Sequence, residues 1–502
     1  MLAPLFVLFV LFLAHQFWWR RRALPPGPTP LPLFGNLLSF ISVERWEDRF
    51  AEWTKQYGNV HTYWMGWMPI VAINDVETMH EVFVKQHPDD CIDRAAAEVF
   101  QNALRGGVYG LAETSGPLWL DQRRFVLRIM RDFGLNTNVM QERVFEELAV
   151  VFEKANAEIA AGNEEIDFDR LTDIATGSLI NAVICGYRFS ADERTQAKFF
   201  HLKGVLSDIM ASFQNPLLML SVHNRFLSKA PVFSTYFNRL VALQSQIRDF
   251  INECIDEHLA RTDYSAADFE PKDLIDAYLL EQRRQEATGE PTYFTRRQLE
   301  ATCSDMWFAG QESTSSTVTW GIAFLIRHPD VQQKLHDELD RVIGSDRLVT
   351  MRDKLSLPYA SAIVMEVLRV ANIVGQNVPH KTSRELTIAG YKIPKGSILI
   401  PQISVPMIDP KHFPEPKRFN PDRFIDDEGG KLKKSPALMP FSLGRRQCPG
   451  EGLARMELFL FLTNLFNQYR FLPAKEPPTL RKSASGFALG TASYKVRLER
   501  RF

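Results

Sequence analysis

The 502-residue chain is poor in cysteine, and its five, Cys91, Cys185, Cys254, Cys303 and Cys448, are scattered. No Cys-x-x-Cys pair occurs, which disfavours a structural zinc site. An odd number of dispersed thiols suits a reducing compartment and not a disulfide scaffold. Excess charge of either sign is also missing: 59 Lys and Arg face 60 Asp and Glu, a formal net charge of -1. The dominant basic surface of a nucleic-acid binder is therefore absent, and no such partner is expected. There is no Gly-x-Gly-x-x-Gly dinucleotide fingerprint, no internal repeat and no low-complexity tract. Only one apolar run reaches membrane length.

That run is Met1 to Trp19, followed at once by Arg20, Arg21 and Arg22. As a helix it would measure roughly 28 Å, close to the thickness of bilayer hydrocarbon. Trp18 and Trp19 suit an interfacial belt, and the arginines keep the rest of the chain on the cytosolic side. A cleaved signal peptide is disfavoured by the missing basic n-region and small-x-small cleavage site. Residues 1–22 are thus expected to form an uncleaved, single-pass anchor. The segment 23–44 carries Leu24-Pro-Pro-Gly-Pro-Thr-Pro-Leu-Pro32, a semi-rigid, polyproline-like hinge. Length alone favours about three domains.

From 45 to about 330 the periodicity is mainly helical, and the polar stretch from Asp263 to Pro291 is expected to carry a surface loop. A long helix is predicted from Thr295 to His328. Thr295-Arg-Arg-Gln298 reads as its capping box, with Gln298 reaching back. Midway, Met306-Trp-Phe-Ala-Gly-Gln-Glu-Ser-Thr-Ser-Ser-Thr317 turns from apolar to polar, and alcohols and a glycine there oppose helix propensity. Such a break in a local rule marks a functional site. After 380, short β-rich runs appear at Leu386–Ile393, Ser397–Ile400 and Tyr494–Leu498. The fold class is α+β, predominantly α-helical.

The most informative segment is Phe441-Ser-Leu-Gly-Arg-Arg-Gln-Cys-Pro-Gly-Glu451. It presents one cysteine on a glycine-bracketed turn. Gly444 and Gly450 suit places that need positive φ or leave no room for a Cβ. A thiolate bound to haem iron favours O–O cleavage, which makes Cys448 a candidate axial ligand. Phe441, Gly444, Arg446, Cys448 and Gly450 match Phe-x-x-Gly-x-Arg-x-Cys-x-Gly, and on these residues the chain resembles the cytochromes P450, microsomal animal members in particular. The resemblance covers nearly the whole chain and implies that 45–502 is one catalytic domain around haem b.

Further segments carry the same resemblance. Ala309-Gly310-Gln311-Glu312-Ser313-Thr314 is similar to the family's oxygen-activation segment. Glu312 and Ser313 would there supply the acid and alcohol that deliver protons to dioxygen, with Gly310 opening the helix wall. Serine stands where threonine is commoner, and it loses the methyl that restricts its rotamer. Glu366-Val-Leu-Arg369 resembles the Glu-x-x-Arg motif, completed by Arg423 of Pro421-Asp-Arg-Phe424. It implies a buried brace whose disruption would cost about 3–5 kcal/mol. Trp119 and Arg123, at i and i+4, look like contacts to the haem carboxylates, joined by Arg446, His380 and Arg94. By family position Phe100, Val108, Phe308, Ala309, Val374, Val378 and Phe487 would line a largely apolar substrate pocket. Pro216–Phe226, apolar then basic, suits immersion beside a substrate entrance or burial against the protein.

The resemblance implies a monooxygenase in the endoplasmic reticulum membrane that inserts one oxygen atom of dioxygen into a lipophilic small molecule. Lacking a dinucleotide fingerprint and a reductase-sized extension, the chain is expected to take NADPH-derived electrons from a partner reductase, with cytochrome b5 as a further candidate donor. Arg123, Arg124, Arg128 and Arg131, with Lys431, Lys433 and Lys434, offer an acidic partner a basic face. Two alternatives stand beside this reading: a haem-thiolate isomerase or dehydratase of lipid peroxides, and a haem-binding sensor or lipid carrier without catalysis.

Overall fold

The computed structural model describes residues 2–41, 43–135, 138–264, 266, 268–426, 430–481 and 490–502. Phe487 lies outside them. Eight helices frame the interior: α1 (Glu98–Arg105), α2 (Gly116–Met130), α3 (Phe168–Cys185), α4 (Glu193–Ser212), α5 (Pro231–Arg261), α6 (Arg296–Arg327), α7 (Pro358–Ala371) and α8 (Glu451–Gln468). At 32 residues, α6 is about 48 Å long. It packs against α3, α5, α7 and α8, so its polar and apolar residues alike are buried over most of its length.

Thr295 caps α6, its hydroxyl accepting from the Gln298 N–H at 3.3 Å. The reciprocal half of the capping box is not formed. The Gln298 amide instead grips the backbone of Gly110, donating to its carbonyl at 2.9 Å and accepting from its N–H at 3.1 Å. A long-range pair of bonds has replaced a local one. The stretch expected to carry a surface loop also contains a helix, Leu274–Glu286, capped by Asp273 and buried along Leu274 to Leu279.

A five-stranded sheet has the order β1-β2-β7-β4-β3, formed by Val60–Met65, Met68–Ile73, Ile398–Pro401, His380–Lys381 and Asp93–Arg94. Strands β1 and β2 fall within the region read as helical. Every residue of β1 is buried, so the alternation that identifies a half-exposed strand is missing. The hairpin β5 (Leu386–Ile388) and β6 (Tyr391–Ile393) turns through Ala389 and Gly390, both at positive φ. The pair β8 (Tyr469–Pro473) and β9 (Val496–Arg500) completes the sheets.

At the N-terminus, Leu2–Ala14 forms a 13-residue helix followed by a π-helical turn at His15–Trp19. Among the described residues, no helix is long and apolar enough to cross a membrane. The proline-rich hinge lies on β1: Thr62 N–H donates to the Pro26 carbonyl at 2.8 Å. Arg20 reaches the Trp67 carbonyl and stacks over Trp64.

Candidate active site

The loop presenting Cys448 is fixed by its backbone. The Cys448 N–H donates to the Phe441 carbonyl at 2.9 Å, and the Gln447 N–H to that of Gly444 at 3.1 Å. Gly444 has φ 72°, and a Cβ there would lie 2.5 Å from the Phe83 carbonyl oxygen. Gly450 departs from expectation. Its φ is -90°, and an added Cβ would come no nearer than 3.9 Å to the Cys448 sulfur, so neither strain nor contact requires glycine there. Cys448 retains exposed surface. Burial nonetheless raises its thiol pKa, while the Gly450 N–H and Arg123 oppose that rise. Helix α8 starts at Glu451, so its N-terminal dipole also favours a thiolate.

Arginines converge beside this loop. Arg123, one turn after the buried Trp119, donates to the Gln447 carbonyl at 2.7 Å. Arg446 lies 3.7 Å over the Trp119 ring and donates to the carbonyls of Ile92, Leu111 and Thr114. Arg94 donates to the carbonyls of Val378 and Pro379. Strand pairing sets Arg94 opposite His380. Burial lowers all three guanidinium pKa values, and their mutual repulsion adds to it for Arg94, at about 9, and Arg446, at about 8. Burial, then Arg94 and Arg446, push His380 well below its ordinary value. Its Nδ1 lies 2.6 Å from the Cys91 carbonyl, which leaves Nε2 of the neutral ring as an acceptor.

Three crowded cations call for an anion, and Arg94 Nε is buried without a hydrogen-bond acceptor. A haem group fits this donor set: a thiol for its iron and guanidiniums for its carboxylates. Helix α6 adds a local anomaly. Within its buried length Ala309 is exposed, and Phe308, Glu312 and Ser313 are partly so, as expected where the helix wall borders open space.

The distal residues are arranged differently from the expected acid and alcohol pair. Ser313 donates to the Ala309 carbonyl at 2.7 Å. Glu312 pairs at 3.0 Å with Lys203 of α4, which also lies 3.0 Å from Asp173 of α3. Ser315 bonds to the same Asp173. Burial acts against the Lys203 charge, but Asp173 and Glu312 outweigh it and raise its pKa. Gly310 does not open the wall. A Cβ there would meet Ile180 of α3 at 2.6 Å, so its small size permits close helix packing. Thr314 is buried and hydrogen-bonds to Glu457 of α8, which burial lifts to about 8. Sequence reasoning missed Lys203, Asp173 and Glu457 because none belongs to a local motif.

Elsewhere, Arg369 holds Glu366 through two bonds of 2.7 and 2.8 Å, and Arg423 joins at 3.1 Å. Phe100 is buried with its ring 6.1 Å from and edge-on to Phe237, which is core packing against α5. Val108, Val374 and Val378 are half-buried. The Phe441 ring lies 4.8 Å beneath the Arg455 guanidinium. Leu218 and Leu220 are buried while Phe226 is exposed, so the Pro216–Phe226 segment turns its apolar half inward.

A thiol at a helix head, a cationic cradle and a long helix with one uncovered stretch define a haem-thiolate oxidoreductase. The family model for Cytochrome P450 matches residues 25–498. The chain is 34% identical over 455 residues to Cytochrome P450 2C20 of Macaca fascicularis, covering 90% of this chain and 89% of that protein. It is 31% identical over 484 residues to Cytochrome P450 2E1 of Oryctolagus cuniculus, covering 96% and 94%. Against Cytochrome P450 2C8 of Homo sapiens it is 32% identical over 465 residues, covering 93% and 91%. The chain belongs to the cytochrome P450 family and is a monooxygenase.

Proposed function

We propose that this enzyme hydroxylates or epoxidises a lipophilic small molecule, using dioxygen and NADPH-derived electrons relayed by a partner reductase. The observation that carries the reading is Cys448 at the head of α8, beside Arg123 and its cationic neighbours. Bound haem supplies the oxygen-cleaving chemistry, with Cys448 as the thiolate ligand to iron. Arg94, Arg123, Arg446 and Trp119 hold the haem carboxylates. His380 joins them once a carboxylate stabilises its protonated ring, while Phe441 and Gly450 shape the ligand loop.

Phe308 and Ala309 form the wall above the site, with Val108, Val374 and Val378 as further apolar lining that excludes water and orients substrate. Ser313 moves protons after its hydroxyl releases the Ala309 carbonyl, which its unbranched rotamer permits. Glu312 serves as the acid when it leaves Lys203, and Thr314, backed by the protonated Glu457, supports the same step. The Glu366, Arg369 and Arg423 cluster braces the segment leading to the ligand loop.

Residues 1–22 form a membrane anchor, 23–44 a hinge and 45–502 the catalytic domain, held at the cytosolic face of the endoplasmic reticulum. The exposed Val7, Phe9, Val10, Leu11, Phe12, Trp18 and Trp19 support immersion of this segment in lipid. An acidic reductase domain docks on Arg124, Arg128, Arg131, Lys431, Lys433 and Lys434, with cytochrome b5 as an alternative donor. The test is the carbon monoxide spectrum of the reduced protein. A thiolate-type Soret band is expected, and Cys448→Ala should abolish it; a band that persists in the variant would refute the assignment.

A further inference from the structure

A pocket of roughly 440 Å³ lies between α1, α5 and the first turn of α6, lined by Leu104, Arg105, Arg248, Asn252, Arg296, Arg297 and Glu300. Four guanidiniums and the Glu300 carboxylate line it, with Asp249, Asp256 and Asp305 lying against individual arginines from outside the lining. We propose that this pocket is a regulatory anion site for a phosphate group, carried either by a small organic phosphate or by a lipid headgroup. It is separate from the haem cradle and independent of the functional reading above.

The arginines differ in how far their charge is met. Arg296 is closely paired with Asp256 at 2.7 Å. Arg248 donates to the Leu104 carbonyl at 2.6 Å and lies 3.2 Å from Asp249. Arg105 has a side chain only 7% exposed, and its Nε finds no hydrogen-bond acceptor. Glu300 and Asp305 approach it only to 3.6 and 3.7 Å. Arg297 is exposed and makes no ion pair among the described residues; its Nη1 lies 3.8 Å from where a Cβ on Gly106 would stand. Arg296 and Arg297 stand in the first turn of a 32-residue helix, where the helix dipole is positive. Burial raises the Glu300 carboxyl pKa, although Arg105 opposes this.

Arginine binds phosphate oxygens through paired hydrogen bonds, and the volume admits a phosphate with a small substituent. The position gives the site a consequence. Arg105 ends α1, and the following segment is latched to α6 through Gln298 to Gly110 and through Asp305 to the Leu111 and Ala112 N–H groups. A bound anion would join that latch to α5 through Arg248 and hold 98–112 in place.

The experiment titrates the full-length holoprotein with pyrophosphate by calorimetry, with soluble dihexanoyl phosphatidic acid below its micellar concentration as a second arm. Saturable one-to-one binding is expected. Arg297→Gln should weaken it about tenfold, the loss of one charge-assisted bond, while Arg194→Gln, an exposed arginine elsewhere, should not. Hydrogen exchange across 98–112 should slow on binding. Pyrophosphate binding identifies a free phosphate as sufficient, and binding of the lipid alone identifies the headgroup as the source. Failure of both probes, or unchanged affinity in Arg297→Gln, overturns the proposal.

Discussion

Glu457 sits deep in α8 with its carboxyl raised to about 8 by burial, against the hydrogen bond with Thr314. The folded chain therefore keeps a proton that the unfolded chain releases near its ordinary value of 4.5. Between those two values the folded state binds more protons, so stability falls as pH rises. Glu457→Gln should flatten denaturation free energies across about pH 5 to 8 relative to the parent; equal slopes would show that Glu457 is ionised when folded. Lys203 makes a second test. It pairs with Asp173 and Glu312 together, and Lys203→Met should cost about 3 kcal/mol because it removes the cation shared by two largely buried carboxylates. Adding Glu312→Gln should recover part of that loss in thermal denaturation. Neither residue announces itself in the sequence, since each acquires meaning only from a helix far away in the chain. Cys448, by contrast, was legible because its turn, ligand and following helix are contiguous.

Helix α6 and its neighbour α3 meet at Gly310, where any Cβ would press on Ile180. Gly310→Ala should destabilise by about 1–3 kcal/mol through overpacking, with Ile180→Ala restoring stability. Were glycine instead an opening for dioxygen, the alanine variant would lose turnover at unchanged stability. The helix itself was readable from its cap at Thr295 and its stop before Pro329. Its packing partner was not, because periodicity reports burial without naming what covers the buried face. Strand β1 failed for the same reason: both its faces are covered, and Val60 to Met65 carry no alternation of exposure. The helix Leu274–Glu286 was lost among polar neighbours, its buried stretch being only six residues long and interrupted by Asp276. Gln298 shows a local motif overridden by tertiary structure, its amide satisfying Gly110 across 188 residues of chain.

The whole chain depends on contacts that close long loops around the cysteine. Arg423 meets Glu366 across 57 residues, and Arg446 meets Ile92 across 354. Arg423→Ala should lower stability by about 3–5 kcal/mol and reduce haem content per mole of protein in proportion to the unfolded fraction. The paired two-residue strands at Arg94 and His380 were too short to read as strands, yet they bring both residues to the cradle. On the outer surface, Arg124, Arg128 and Arg131 are exposed. Arg128→Glu should raise the reductase concentration needed for half-maximal turnover several-fold, more so at low salt, with peroxide-driven turnover unchanged. Labelled dioxygen tests the proposed oxygen insertion, supported by NADPH through a partner reductase. With a lipophilic substrate that shifts the haem spin state, one labelled oxygen atom should enter the product, and only when NADPH and reductase are present. Rearrangement of a lipid peroxide without NADPH, with no label entering the product, would contradict the account.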